Sequence, residues 1–171
     1  MSGVSIRRAG PDDVDFIVEL VADGDVRPFL GPRTALDRAS LSEEVARSER
    51  EPEQFGRFVI ELDGERAGAL GFHVVNEPSR IARLERLAVH PDFRGRRVAD
   101  EATRLFQRLL LVELGFHRLE MEVYAFNERA LAHADRVGFL REGVKRRAYL
   151  RDGEWVDTVM YALLREDLGP D

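Results

Sequence analysis

LAVHPDFRGRRVADEATRLF, residues 87–106, carries the reading of the whole chain. An apolar run, Leu87-Ala88-Val89, stops at His90-Pro91, where proline removes the next ladder donor. Gly95 then sits among Arg94, Arg96 and Arg97, and from Val98 onward apolar residues recur at helical spacing to residue 114, with Val98, Ala102, Leu105, Leu109 and Val112 expected on one side. A strand end, a basic glycine loop and a helix start, in that order, make a site for an anion. The first N–H groups of the helix have no partner, the helix dipole favours negative charge there, and guanidinium groups add charge-assisted hydrogen bonds. A pyrophosphate would be held mainly by backbone. The alternative is a solvated basic turn, as short charge runs usually are, and spacing alone leaves both open.

Outward from this loop the chain reads as alternating strands and helices. Residues 4–8 alternate like a strand, Gly10-Pro11 breaks it, and Asp12 or Asp13 caps a helix to about Ala22. Residues 23–32, with two glycines and two prolines, form a loop, and 36–50 return to helical spacing. Strands 55–62 and 66–75 flank Asp63-Gly64, a pair suited to a tight hairpin. A strand over 81–89 enters the loop. After Gly115 come a strand (117–124), a helix (127–137) and a hairpin of strands 139–149 and 155–164 about Asp152-Gly153. Strand, helix, strand over 81–124 implies a parallel crossover, and the hairpins imply antiparallel neighbours. The fold class expected is α+β, with a mixed sheet of about seven strands and about four helices in one domain over residues 1–171.

Composition narrows the chemistry. The 171 residues, 44% hydrophobic, suffice for one core. With 32 acidic against 26 basic residues the net charge of -6 repels polyanions, so nucleic acid is not expected as a partner. The chain has no cysteine, which removes disulfides, thiolate metal sites and a cysteine nucleophile; no metal is expected. No apolar run approaches the roughly 18 residues of a membrane span, and the opening residues lack a signal-peptide core, so a cytoplasmic location with no membrane partner is expected.

Arg94-Gly95-Arg96-Arg97-Val98-Ala99 resembles the coenzyme A signature Q/R-x-x-G-x-G/A of the GNAT superfamily of N-acetyltransferases. Asn127-x-x-Ala130 leading to Arg136-x-Gly138-Phe139 is similar to the family's second helix motif. The stretch from Glu142-Gly143-Val144 to Tyr161-Ala162-Leu163-Leu164 resembles the RimJ/RimL-like branch, which includes enzymes acetylating protein N-termini. The likeness spans essentially the whole chain. It implies acetyl-coenzyme A as cosubstrate and a primary amine as acceptor, a protein N-terminus first and a small cationic amine next. It also implies a GNAT fold whose parallel strands splay at the cofactor site, and a branch in which homodimers are common. Residue by residue, it implies that Leu87 and Val89, flanking Ala88, offer backbone hydrogen bonds to the pantetheine arm, that residues Arg94 to Ala99 wrap the pyrophosphate, and that Asn127 touches the arm.

Two positions depart from the family pattern. Arg97 replaces the inner glycine: a left-handed backbone there would cost roughly 1 to 2 kcal/mol, whereas an ordinary one would add a guanidinium for phosphate, and the second is expected. Ala134 replaces a tyrosine that protonates the departing thiolate in many members. His133 beside it is taken as a packing histidine, and Tyr124, Tyr149 or a water remain to assist. A non-catalytic coenzyme A-binding protein is the alternative that this loss raises. For the base that takes the amine's proton, Glu85 leads, two residues before Leu87 and so on the same strand face by the period of two; the alternative is a salt bridge to Arg83 or Arg86. Glu120 and Glu122 are weaker choices. The acceptor is expected between residues 23–32 and the last hairpin, with Asp23 and Asp25 toward a cationic amine, Phe29 and Trp155 packing on it, and Asp157 orienting it.

Overall fold

The computed structural model describes residues 3–31, 34–35 and 37–169; Pro32 and Leu36, bounds of an expected loop and helix, lie outside them. Strands β1 (Val4–Arg8), β2 (Phe55–Leu62), β3 (Glu65–Asn76), β4 (Ile81–Val89), β5 (Arg118–Tyr124), β6 (Leu140–Arg151) and β7 (Glu154–Leu164) form a sheet in the order β1-β2-β3-β4-β5-β7-β6. Helices α1 (Val14–Ala22), α2 (Arg38–Arg50), α3 (Val98–Arg108) and α4 (Glu128–Arg136) complete the fold. Among the described residues one neighbouring pair, β4–β5, is parallel. The hairpin turns fall at the expected dipeptides, with Asp63 and Gly64 at φ 52° and 85° and Asp152 and Gly153 at 49° and 81°.

Two cores separate along the sheet. One packs α3 and α4 on Phe58, Phe72, Phe116 and Leu119, with Phe106 at its centre. Phe106 meets Phe58 and Phe72 edge-on at centroid distances of 5.0 and 6.0 Å, a geometry aromatic quadrupoles favour. The other packs α1 and α2 on Val59 and Ala88. The expected apolar stripe of α3 is corrected here. Val98 and Ala102 are buried, but Leu105 and Val112 are 40% and 43% exposed, while Phe106, Leu110 and Leu111 are fully buried. Steps of four from Val98 run through 102, 106 and 110, and a π-helical turn over Leu109–Glu113 lets the helix continue inward.

The decisive feature is in β4. Its pairing with β3 joins Gly71 to Glu85 and Ala69 to Ala88, so Arg86 and Leu87 face Leu70 alone: a β-bulge, with Arg86 at φ 58°. The bulge inverts the strand's alternation. Before it Ala82 and Leu84 face the α3 core; after it Leu87 and Val89 do, and Ala88 faces α1 and α2. Glu85 and Leu87 therefore lie on opposite faces, contrary to the period-of-two expectation. The parallel pairing with β5 runs over Ile81–Arg118, Ala82–Leu119 and Arg83–Glu120 and goes no further, so the strands part from Leu84 onward.

β3 keeps this geometry by omitting a side chain. A Cβ on Gly68 would lie 2.3 Å from the Ala88 carbonyl oxygen and 3.2 Å from the Val89 Cα. Gly68→Ala is expected to destabilise by about 1 to 3 kcal/mol, the usual cost of forcing atoms into a packed site, read as a lowered urea midpoint.

Candidate active site

The gap between β4 and β5 presents backbone donors. His90 N–H bonds the Ala67 carbonyl at 2.8 Å, pointing toward β3. Successive N–H groups of a strand alternate in direction, so those of Val89 and Leu87 turn away from β3 into the gap. At its end lies the start of α3. No side chain caps this helix; its N-cap is Arg97, left-handed at φ 59° and ψ 15°, and Gly95 is also at positive φ, 77°. The expectation that Arg97 avoids the left-handed region is thus corrected: the backbone takes the conformation that glycine takes at lower cost, because the chain must reverse here to aim the Val98 and Ala99 N–H groups outward.

Arg94 and Arg96 face different clefts. Arg94, Asn127, Phe126 and Phe29 line one of about 310 Å³. Arg96 and Phe93 line another, of about 790 Å³, with Arg7 and Arg66. Asn127 caps α4, its Oδ1 accepting the Ala130 N–H at 3.1 Å. The placement of α4 follows from a buried clasp: Asp100 on α3 bonds His133 Nδ1 at 2.8 Å and Arg136 Nε at 3.0 Å, and His133 Nε2 meets Thr103 Oγ1 at 3.2 Å. His133 is a packing histidine, which burial pushes down against the pull of Asp100. Ala134 is fully buried in the core beside it.

Glu85 sits on the α2 face of the sheet. Its partners are not Arg83: Arg57 Nη2 donates to it at 2.8 Å and His73 Nδ1 at 3.1 Å. Arg57, buried on β2, reaches across β3 because Gly71 stands between them; a Cβ there would lie 2.3 Å from Arg57 Nη1. Glu44 of α2 pairs with both Arg57, at 3.0 Å, and Arg86. Burial pushes the Glu85 carboxyl up, but the hydrogen bond from His73 and the charges of Arg57, His73 and Arg86 outweigh it and pull it from the ordinary 4.5 to about 2. Glu120 pairs with Arg83 and Arg118 at 3.0 and 3.1 Å, and Glu122 accepts from Thr158 at 2.6 Å and Lys145 at 3.2 Å.

The loop after α1 closes over this region. Arg94 Nη2 donates to the Asp25 carbonyl at 3.1 Å, and Arg151, from the β6–β7 hairpin, donates to the carbonyls of Leu30 and Pro28 at 2.9 and 2.5 Å. Phe29 packs against Phe126 at 6.2 Å. Other expected acceptor contacts are engaged or outlying: Asp23 Oδ1 accepts the Asp25 N–H, Asp157 Oδ1 the Arg147 N–H, and Trp155 is 56% exposed. Sequence reasoning missed Arg57, His73, Glu44 and Arg151. The one local signal is Arg57, a lone cation inside the apolar run FGRFVIEL.

Residues 4–140 match the family described as acetyltransferase (GNAT) domain, and the chain belongs to that family. The spermidine N(1)-acetyltransferase of Escherichia coli (strain K12) is 26% identical over 109 residues, 64% of this chain and 58% of that enzyme. YdaF of Bacillus subtilis (strain 168), provisionally named a ribosomal N-acetyltransferase, is 24% identical over 96% of this chain and 92% of its own. The chain spans about half the length of the first curated relatives it matches, 46% and 58%. The spermidine N-acetyltransferase from Vibrio cholerae, in complex with CoA and spermine, superposes with a TM-score of 0.83 at 19% identity, covering 96% of this chain and 97% of that one. That likeness establishes the GNAT fold.

Two stability changes follow. Arg97→Gly relieves a left-handed strain of roughly 1 to 2 kcal/mol and adds unfolded-state entropy of about 0.5 to 1, so a net gain of up to about 1.5 kcal/mol is expected in denaturant unfolding. Arg57→Met leaves Glu85 buried beside an apolar chain and is expected to cost about 3 to 5 kcal/mol at neutral pH. Because Glu85 is depressed in the fold, its contribution is complete above about 4.5 and fades as pH falls toward 2. The penalty of Arg57→Met, measured by urea titration across that window, is expected to shrink on acidification.

Proposed function

We propose that the protein transfers the acetyl group of acetyl-coenzyme A to a primary amine. The observation that carries this reading is the parting of β4 from β5 beside an uncapped, arginine-flanked helix start. In this reading the N–H groups of Leu87 and Val89 bind the pantetheine arm, with Ala88 holding the strand in register. The Val89 N–H also polarises the thioester carbonyl where negative charge develops. Residues Arg94, Gly95, Arg96, Arg97, Val98 and Ala99 take the pyrophosphate, and Asn127 sets the far wall. Glu85 remains the carboxylate assigned to the acceptor side. Held near 2, it suits attracting and orienting an ammonium better than removing its proton, since a base works best near the operating pH; the proton leaves through water.

For the acceptor we infer a single amine on a larger chain, a protein N-terminus. Glu44, Glu85 and Glu120 are each matched by arginine, which leaves little free negative charge to cage a polycation. This accords with the RimJ/RimL-like tail motifs. The second reading, a small cationic amine, is favoured by the Escherichia coli relative that acts on spermidine.

Thermal shift with acetyl-coenzyme A, coenzyme A and NAD tests the cofactor, since a ligand at 100 times its Kd stabilises by about 2.7 kcal/mol. Stabilisation by the first two alone, weakened in an Arg94→Ala, Arg96→Ala double variant, is expected. Thiol release with N-terminal peptides exceeding that with spermidine is expected next; binding without release by any amine would favour the non-catalytic alternative.

A further inference from the structure

Ala134 leaves the family's usual proton donor missing, and the molecule has three tyrosines, Tyr124, Tyr149 and Tyr161, to set against that loss. Tyr161 is fully buried in the core, and its hydroxyl accepts a hydrogen bond from Arg141 at 3.0 Å. Tyr149 lies against the Glu122 carboxylate. Tyr124 differs from both. It is 6% exposed, and its hydroxyl is buried with no hydrogen-bond partner among the described residues. Most buried polar atoms in native folds have a partner, and a buried hydroxyl without one is costly, so its placement calls for an explanation.

Its position indicates what that is. Tyr124 is the last residue of β5, four beyond Glu120, where pairing with β4 ends, and so on the parted stretch of the strand. Its ring stacks on Phe126 at 5.1 Å and 11°, meets Tyr149 edge-on at 6.0 Å, and lies under the Arg151 guanidinium at 4.7 Å. Phe126 is 47% exposed and lines the cleft shared by Arg94 and Asn127, so Tyr124 is the ring one layer inward from that mouth. Contacts with Phe126, Tyr149 and Arg151 fix the ring, while its hydroxyl has no partner among the described residues.

We propose that the Tyr124 hydroxyl is the donor to the sulfur of the leaving coenzyme A, an inference that rests on the acetyl-transfer reading above. The amine nitrogen bonds to the acetyl carbon, the C–S bond breaks, and its electron pair goes to sulfur. Tyr124 donates its hydrogen bond, then its proton, to that sulfur. The proton lost by the nitrogen returns through solvent to the phenolate oxygen, so the sum is amine plus thioester to amide plus thiol.

Tyr124→Phe removes one oxygen and keeps the rings packed. Expected are an unchanged or raised midpoint of unfolding, an unchanged KM for acetyl-coenzyme A, and kcat lowered at least about tenfold, toward the 100-fold common for a positioned acid. A second readout needs no turnover: the thiol of bound coenzyme A, titrated by thiolate ultraviolet absorbance, is expected to ionise at lower pH in the wild type than in Tyr124→Phe. Equal kcat, or equal thiol titration in the two proteins, overturns the proposal. Failure of the wild type to release thiol with any amine, while the titration still differs, instead overturns the acetyl-transfer reading and leaves Tyr124 as the sulfur's partner.

Discussion

The left-handed turn of Arg86 is the constraint on which the rest of this structure depends. It inserts one residue into β4, bends the strand, and reverses which side chains face which core. Without it β4 would continue beside β5, the N–H groups of Leu87 and Val89 would be spent on that neighbour, and no gap would open. A non-glycine residue in this region costs roughly 1 to 2 kcal/mol. The contact between Arg86 and Glu44 offsets part of that, and Glu44 is fixed in turn by Arg57. Strain at the site is thus tied to a charge network buried under α2.

Arg97 repeats the pattern at the other end of the gap. Both positions hold an arginine where glycine would be easier, and both lie within reach of the proposed cofactor path. Strained backbone persists when surrounding structure over-determines it. For Arg97 the surroundings are the short turn Pro91–Phe93 on one side and, on the other, α3, whose Asp100 is locked to His133 and Arg136. That clasp ties the first turn of α3 to the last turn of α4, and so fixes how the two helices lie against each other.

The order of elements was legible in the sequence because each rests on local physics: Asp63-Gly64 and Asp152-Gly153 make their turns from their own backbone preferences, and the run 87–99 announces a strand end and a helix start. The bulge was not legible, because Arg86 carries no glycine or proline to mark it and only the register against β3 reveals it. The error about Glu85 and Leu87 follows directly, since the period of two fails across an inserted residue. The partners of Glu85 were hidden for a related reason. Arg57 lies 28 positions away and reaches it over Gly71, a meeting that depends on three strands being in register.

The charge network has a consequence for how the two halves of the site work together. Glu44, Glu85 and Glu120 are paired with arginines within the fold, so in the proposed reading shape places an incoming amine more than bulk charge does, with Glu85 orienting it at short range. In that reading the loop carrying Phe29 and Leu30 supplies the shape, and it is held by Arg94 from the proposed phosphate site and by Arg151 from the hairpin. Arg94 cannot give its full set of donors to a pyrophosphate while one of them serves the Asp25 carbonyl. In the proposed reading a bound pyrophosphate would draw on the same guanidinium that holds the loop through the Asp25 carbonyl.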